Sequence, residues 1–200
     1  MALSKLKAKM KGIKYLPFEQ NGITYNLYDL PNGFVIEGNL DISGKGLTEL
    51  PDLSDVVVKG NFLCYGNQLT SLKGAPKEVC GYFYCVHNQL TSLEGAPQTV
   101  GRYFDCRYNQ LTSLFGVPQL KENEKIYCDN SIGAKYGFSN EKNGIPYEDL
   151  CKSPLYRSEE AMNRVRIKQQ QEQREKQQKD KINAEFSQWL KDNKTKTSKE

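Results

Sequence analysis

The sequence predicts an α+β repeat protein: a short solenoid on a parallel sheet, an N-terminal β-hairpin cap and a long C-terminal α-helix. Three observations carry this expectation. Phe62, Phe83 and Phe104 fall 21 residues apart, as do Cys64, Cys85 and Cys106, the mark of an internal repeat. Residues 23–37 set a Pro-Asn-Gly turn between two runs of strand-forming residues. Residues 158–192 contain neither proline nor glycine and are rich in Glu, Gln, Lys, Arg and Ala, a composition that favours helix.

Taken in order, residues 1–14 form a basic segment carrying Lys5, Lys7, Lys9, Lys11 and Lys14 and no acid. Leu3, Leu6, Met10 and Ile13 lie near helical spacing between these lysines. Three readings stay open: an amphipathic helix at a membrane or nucleic-acid surface, a part of the cap, or a solubilising tail. Residues 15–37 are expected to form the hairpin cap. Their role is to cover the edge of the first coil, because an open sheet edge invites association.

Residues 38–130 carry the repeat. Besides Phe and Cys, the 21-residue offset aligns Asn67, Asn88 and Asn109, then Leu69, Leu90 and Leu111, then Leu72, Leu93 and Leu114. It also aligns Gly74, Gly95 and Gly116, and Pro76, Pro97 and Pro118. Leu40, Ile42, Leu47 and Leu50 repeat the spacing 22 residues upstream, with Lys45 in the asparagine position, and Ile126 and Cys128 continue it downstream. The alternation in F-x-C is the period of a half-buried strand, with Phe and Cys facing inward. The asparagine amide suits the turn out of that strand, the two leucines fill the core, and Gly then Pro return the chain. One coil cannot bury its own apolar side, so several must stack.

The unit F-x-C-x-x-N-Q-L-T-S-L-x-G-[AV]-P contains the spacing L-x-L-x-x-N-x-L and resembles the leucine-rich-repeat family, in its short bacterial class. The N-Q-L-T-S-L-x-G-A-P blocks are similar to repeats of bacterial and phage proteins. The resemblance implies a concave strand face that often binds partners, and a setting in the cytoplasm of a bacterial host or in a virion.

Residues 131–157, with Pro146 and Pro154, read as an irregular second cap, residues 158–192 as one helix, and 193–200 as a tail. At ~1.5 Å per residue the helix would reach on the order of 50 Å. Met162 and Val165 form an apolar patch near its start, and Ile182, Phe186, Trp189 and Leu190 a stripe near its end. From Lys168 to Lys181 it has no apolar residue, so that stretch projects, bridges or frays. The stripe either folds back on the solenoid or docks another chain.

Little in the sequence points to catalysis. The 200 residues hold one histidine, His87, at a variable repeat position aligned with Gly66 and Tyr108. Six cysteines are present but no closely spaced pair of the kind zinc sites use. Cys64, Cys85, Cys106 and Cys128 are explained as one buried column, which leaves Cys80 and Cys151 over. No phosphate loop or nucleophile elbow appears. A non-enzymatic protein without cofactor or metal is expected.

The positions that alternate with Phe and Cys are more informative. They are Asn61, Leu63 and Tyr65, then Tyr82, Tyr84 and Val86, then Tyr103, Asp105 and Arg107, with Lys125, Tyr127 and Asp129 beyond; Leu63, Tyr65, Tyr82, Tyr84, Tyr103, Asp105, Arg107 and Tyr127 are singled out among them. Tyrosine presents a large contact area at low entropic cost, and the mixture with Arg107, Asp105 and Leu63 suits an interface more than a uniform structural ladder. These residues, with Phe186 and Trp189 on the helix, are the candidate partner-binding set. The formal net charge of +4 is too small to indicate a nucleic-acid binder. An alternative reading has the lysine cluster and helix contacting phosphates while tyrosines stack bases. No stretch approaches the ~20 apolar residues of a membrane span, so a cytoplasmic protein without integral membrane association is expected.

Overall fold

The computed structural model describes residues 14–138 and 144–194. Lys5 to Lys11, with Leu3, Leu6, Met10 and Ile13, lie outside the described residues, as does the tail from 195. The chain divides into two compact units, with the boundary between Arg157 and Ser158.

The first unit opens with the antiparallel hairpin of β1 (Pro17–Gln20) and β2 (Ile23–Asn26). Its turn is Asn21-Gly22, with φ of 53° and 75°, the left-handed pair that matches hairpin twist. The sequence reading placed the turn at Pro31-Asn32-Gly33. A tight turn does occur there, Phe34 N–H donating to Pro31 O at 3.2 Å, but it feeds the first coil. The reason lies in the repeat: Val35–Ile36 stands 22 residues before Val57–Val58 and pairs with it in parallel.

The coils stack as a parallel solenoid of about four turns. One sheet holds β4 (Leu40–Asp41), β6 (Phe62–Leu63), β8 (Phe83–Tyr84), β10 (Phe104–Asp105) and β12 (Lys125–Tyr127) in parallel, with β13 (Ile145–Pro146) antiparallel on β12. Each coil also supplies a strand to a second parallel sheet, which the sequence reading did not anticipate. Its members are β3 (Val35–Ile36), β5 (Val57–Val58), β7 (Glu78–Val79), β9 (Thr99–Val100) and β11 (Gln119–Leu120). Ile36, Val58, Val79, Val100 and Leu120 form its buried column.

The core follows the repeat. Phe62, Phe83 and Phe104 are fully buried, with successive ring centroids 5.1 Å apart. Leu69, Leu72, Leu90 and Leu93 fill the opposite side. In the cysteine column each thiol donates to the carbonyl of the next coil: Cys64 Sγ to Tyr84 O, Cys85 to Asp105 O and Cys106 to Tyr127 O, at 3.3, 3.4 and 3.3 Å. Burial pushes the Cys64, Cys85 and Cys106 thiols well above the usual range. The thiolate is the reactive form. Iodoacetamide should therefore label the native protein at the half-exposed Cys80 and Cys151 and spare the four buried cysteines until it is denatured, as mass spectrometry of the adducts would show.

The asparagines tie coil to coil. Asn88 Nδ2 donates to Cys64 O and Cys85 O at 3.0 and 3.1 Å, and its Oδ1 accepts from Leu69 N–H at 3.0 Å. Asn109 repeats the set one coil on, with Cys85 O, Cys106 O and Leu90 N–H. Asn67 uses Ile42 O, Cys64 O and the amides of Lys45 and Leu47. A buried amide with all these partners satisfies backbone groups that a turning chain would otherwise leave unpaired.

Gly74, Gly95 and Gly116 end the inner turns at φ near +90°. A Cβ on Gly95 would stand 2.6 Å from Lys73 N and 2.8 Å from Leu72 C. Both are backbone atoms held by the coil beneath. Gly95→Ala is expected to cost about 2 kcal/mol, from left-handed strain plus the clash. Gly46→Ala, at φ 68° with open space around it, should cost about 1 kcal/mol. Equal urea midpoints for the two variants would show that the close approach is harmless.

At both ends side chains supply partners to backbone groups of the outermost coil. At the first coil, Gln20 Nε2 donates to Val35 O at 3.0 Å and its Oε1 accepts from Glu37 N–H at 2.8 Å. At the last, after α1 (Asn130–Lys135), the Tyr136 hydroxyl accepts from Leu114 N–H at 2.8 Å. Ile132, Leu150 and Tyr156 cover the core there, Leu150 from α2 (Tyr147–Lys152).

Helix α3 (Pro154–Lys194) spans 41 residues. It starts four residues before the sequence reading placed it, because proline at the first helical position has its φ preset and loses no helical hydrogen bond. In the second unit, pairs four residues apart support the polar stretch: Glu160–Arg164, Lys168–Glu172 and Lys181–Glu185, at 3.8, 4.0 and 4.0 Å. Met162, Ile182 and Phe186 are exposed. The side chains of Val165, Trp189 and Leu190 lie outside the described residues. Among the described residues no helix is long and apolar enough to cross a membrane.

Candidate functional site: a tyrosine block on the first sheet

The first sheet buries Phe and Cys, so the residues between them rise from its other face in rows one coil apart. Tyr82 and Tyr103 occupy adjacent rungs of one row, their centroids 4.2 Å apart. Tyr84, in the next row, meets Tyr103 edge-on at 5.5 Å and 87°, and their hydroxyls are hydrogen-bonded. Tyr127 closes against Tyr103 at 5.2 Å and 71°. Edge-to-face and offset geometries are those aromatic quadrupoles favour. The four rings form one interlocked block, half-buried. Burial, and the hydrogen bond shared with Tyr84, push the Tyr103 hydroxyl above the usual phenol range.

Two arginines flank the block. The Arg102 guanidinium lies 5.3 Å from the Tyr82 centroid and donates to its hydroxyl at 3.1 Å. Arg107 lies 5.3 Å from the Tyr127 centroid. It donates to Asp105 through Nε at 2.9 Å and Nη2 at 2.5 Å, and its backbone N–H adds a third bond at 3.2 Å. The Asp105 carboxylate raises the Arg107 pKa, more than burial lowers it.

Of the residues the sequence singled out, the sheet brings together Leu63, Tyr82, Tyr84, Tyr103, Arg107 and Tyr127, all half-buried, with Tyr65 exposed beside them. Asp105 departs from the expectation. It is 2% exposed, covered by Arg107, and presents nothing to a partner. An unpaired buried carboxylate would be too costly to leave there, so the guanidinium folds back over it. Phe186 and Trp189 belong to the second unit. Arg102 was missed, although its place beside Tyr103 in the sequence could have suggested it.

A cleft of about 640 Å³ lies elsewhere in the first unit, lined by Lys14, Tyr28, Glu49, Asp52 and Lys73 among others. Lys14 pairs with Glu49 across it and stands 5.5 Å from the Tyr28 centroid. The Ser54 hydroxyl and amide hold the Asp52 carboxyl below its usual range. Among the described residues no three His, Cys, Asp or Glu side chains gather as a metal site would require. No protein-family model, curated protein or solved structure matches the chain, and the functional reading rests on this geometry.

Proposed function

We propose that the chain is a protein-binding scaffold of leucine-rich-repeat type that engages a protein partner through the tyrosine block, with the Phe186–Trp189 region of the helix as a second contact. The observation that carries this reading is the locking of Tyr82, Tyr84, Tyr103 and Tyr127 into one block before any partner arrives. Association is opposed by the entropy of ordering side chains, and here much of that ordering is already built into the fold. The nucleic-acid alternative is less supported, because a phosphate-tracking surface needs several unpaired cations, and of the two arginines flanking the block Arg107 is neutralised by Asp105, which leaves Arg102. The likeness of the repeat blocks to phage proteins suggests a bacterial cytoplasm, with modulation of a host protein or a structural place in the particle as the role.

The test is capture of partners from nuclease-treated bacterial lysate by the wild type and by a Tyr82→Ala/Tyr84→Ala variant whose melting curve shows it folded. A protein that binds the wild type stoichiometrically, and the variant about tenfold or more weakly, is the expected result. Equal retention by both would remove the sheet face from the reading. Capture abolished by nuclease would replace it with nucleic-acid binding.

A further inference from the structure

Along one rim of the first sheet the chain leaves four successive strands, β4, β6, β8 and β10, through a residue in the left-handed region. In successive coils these are Gly44, Gly66, His87 and Tyr108, with φ of 60°, 65°, 53° and 57°. The same backbone conformation repeated at the same place projects successive side chains in parallel, one rung apart. His87 and Tyr108 show the consequence: their rings stack face to face, 4.3 Å between centroids and 2° from parallel. The stack therefore runs along the direction in which coils add. One face of the imidazole is covered by Tyr108. The other points toward the preceding rung, where the residue is glycine.

That rung is open. A Cβ on Gly66 would meet only Gly44 N, at 3.9 Å, and the next rung is glycine again. No other described ring stacks on His87, and Tyr65, beside Gly66, is 43% exposed. With glycine at both preceding rungs, the free face of the imidazole is open in the direction of the stack, where a further ring could lie parallel to it.

We propose that this rung receives an aromatic side chain of the protein partner, a tryptophan or tyrosine, stacked on His87 as a third ring in line with Tyr108. The neighbouring charges favour a neutral side chain over a nucleobase with its phosphate. Of the two cations on these four rungs of the rim, Arg107 is paired with Asp105, leaving Lys45 alone. The slot deepens the protein-binding reading by naming the chemistry it would select, and rests on it.

His87 is the only histidine in the chain, so its imidazole proton resonances report the slot without ambiguity. N-acetyl-tryptophanamide titrated into the full chain should move them upfield in a saturable way, through the ring current of the added indole. In Gly66→Tyr, a substitution Tyr108 shows the backbone can carry, the resonances should start upfield and not respond to the probe. The amide spectrum establishes that the variant is folded. No saturable movement in the wild type, or equal movement in Gly66→Tyr, would overturn the slot. A larger response to adenosine monophosphate than to the tryptophan amide would overturn the choice of a protein ring. This titration needs no partner, so its failure is distinguishable from that of the capture experiment, which tests the tyrosine block and leaves Gly66 and His87 intact.

Discussion

Asn88→Leu is expected to lower the stability of the first unit by about 2–3 kcal/mol. Leucine has the same number and branching of side-chain heavy atoms and suits a core, so the loss is not chiefly one of an emptied site. It arises because Leu69 N–H loses its partner, a buried donor left unpaired costing about 1–3 kcal/mol, while Cys64 O and Cys85 O each lose one amide donor and keep the other, from Asn67 and Asn109. Asn88 is 7% exposed, so water does little to replace it. In a protein of this size the loss corresponds to a fall in melting temperature on the order of 10 °C. Asn109→Leu should cost less, because Asn109 is half-buried and solvent can reach the groups it serves. Urea denaturation followed by circular dichroism measures both. A midpoint for Asn88→Leu within error of the wild type would mean that the ladder is redundant with the backbone bonds between coils.

The asparagine ladder was legible in the sequence, and so were the Phe, Cys and Leu columns, because each rests on one residue type recurring at one offset. The second sheet was not. Its inward positions, Val58, Val79, Val100 and Leu120, sit in two-residue strands between variable neighbours, and two residues give no alternation to recognise. The signal was their common offset: Val58, Val79 and Val100 also stand 21 residues apart. The hairpin turn illustrates competition between local and repeated information. Asn21-Gly22 and Asn32-Gly33 are equal as dipeptides. What separates them is that the residues after Gly33 pair at the repeat spacing with β5, while those after Gly22 have only β1 to pair with.

The site was legible as a row of residues and not as a set of roles. Alternation placed the tyrosines on the outer face, and the structure has them there. Alternation also placed Asp105 there, and it is buried. Period two says which way a side chain leaves the sheet, but not whether a longer neighbour then lies over it. Likewise nothing in the sequence marks the position of His87 and Tyr108 as left-handed except Gly66 and Gly44 in the same column, a hint that only the aligned repeat provides.

The Asp105–Arg107 pair divides structure from recognition on this face. Arg107→Ala is expected to cost about 3 kcal/mol, at the low end of the range for breaking a buried ion pair because the arginine side chain is 42% exposed and the pair is partly screened. The carboxylate left behind keeps one backbone donor, Arg107 N–H at 3.2 Å, and loses both guanidinium bonds. If the cost is that of a stranded charge, removing the charge should recover most of it: Asp105→Asn/Arg107→Ala should regain about 2 kcal/mol over Arg107→Ala alone. Urea midpoints of the wild type, both single variants and the double variant close the cycle. Additive losses would show that Arg107 contributes mainly through its packing on Tyr127, not through Asp105. Lost partner binding in Arg107→Ala would then report directly on the interface. With a coupled pair it would instead report a damaged sheet, and the double variant, with its carboxylate neutral and its tyrosines intact, becomes the background in which the contribution of Arg107 to recognition can be measured.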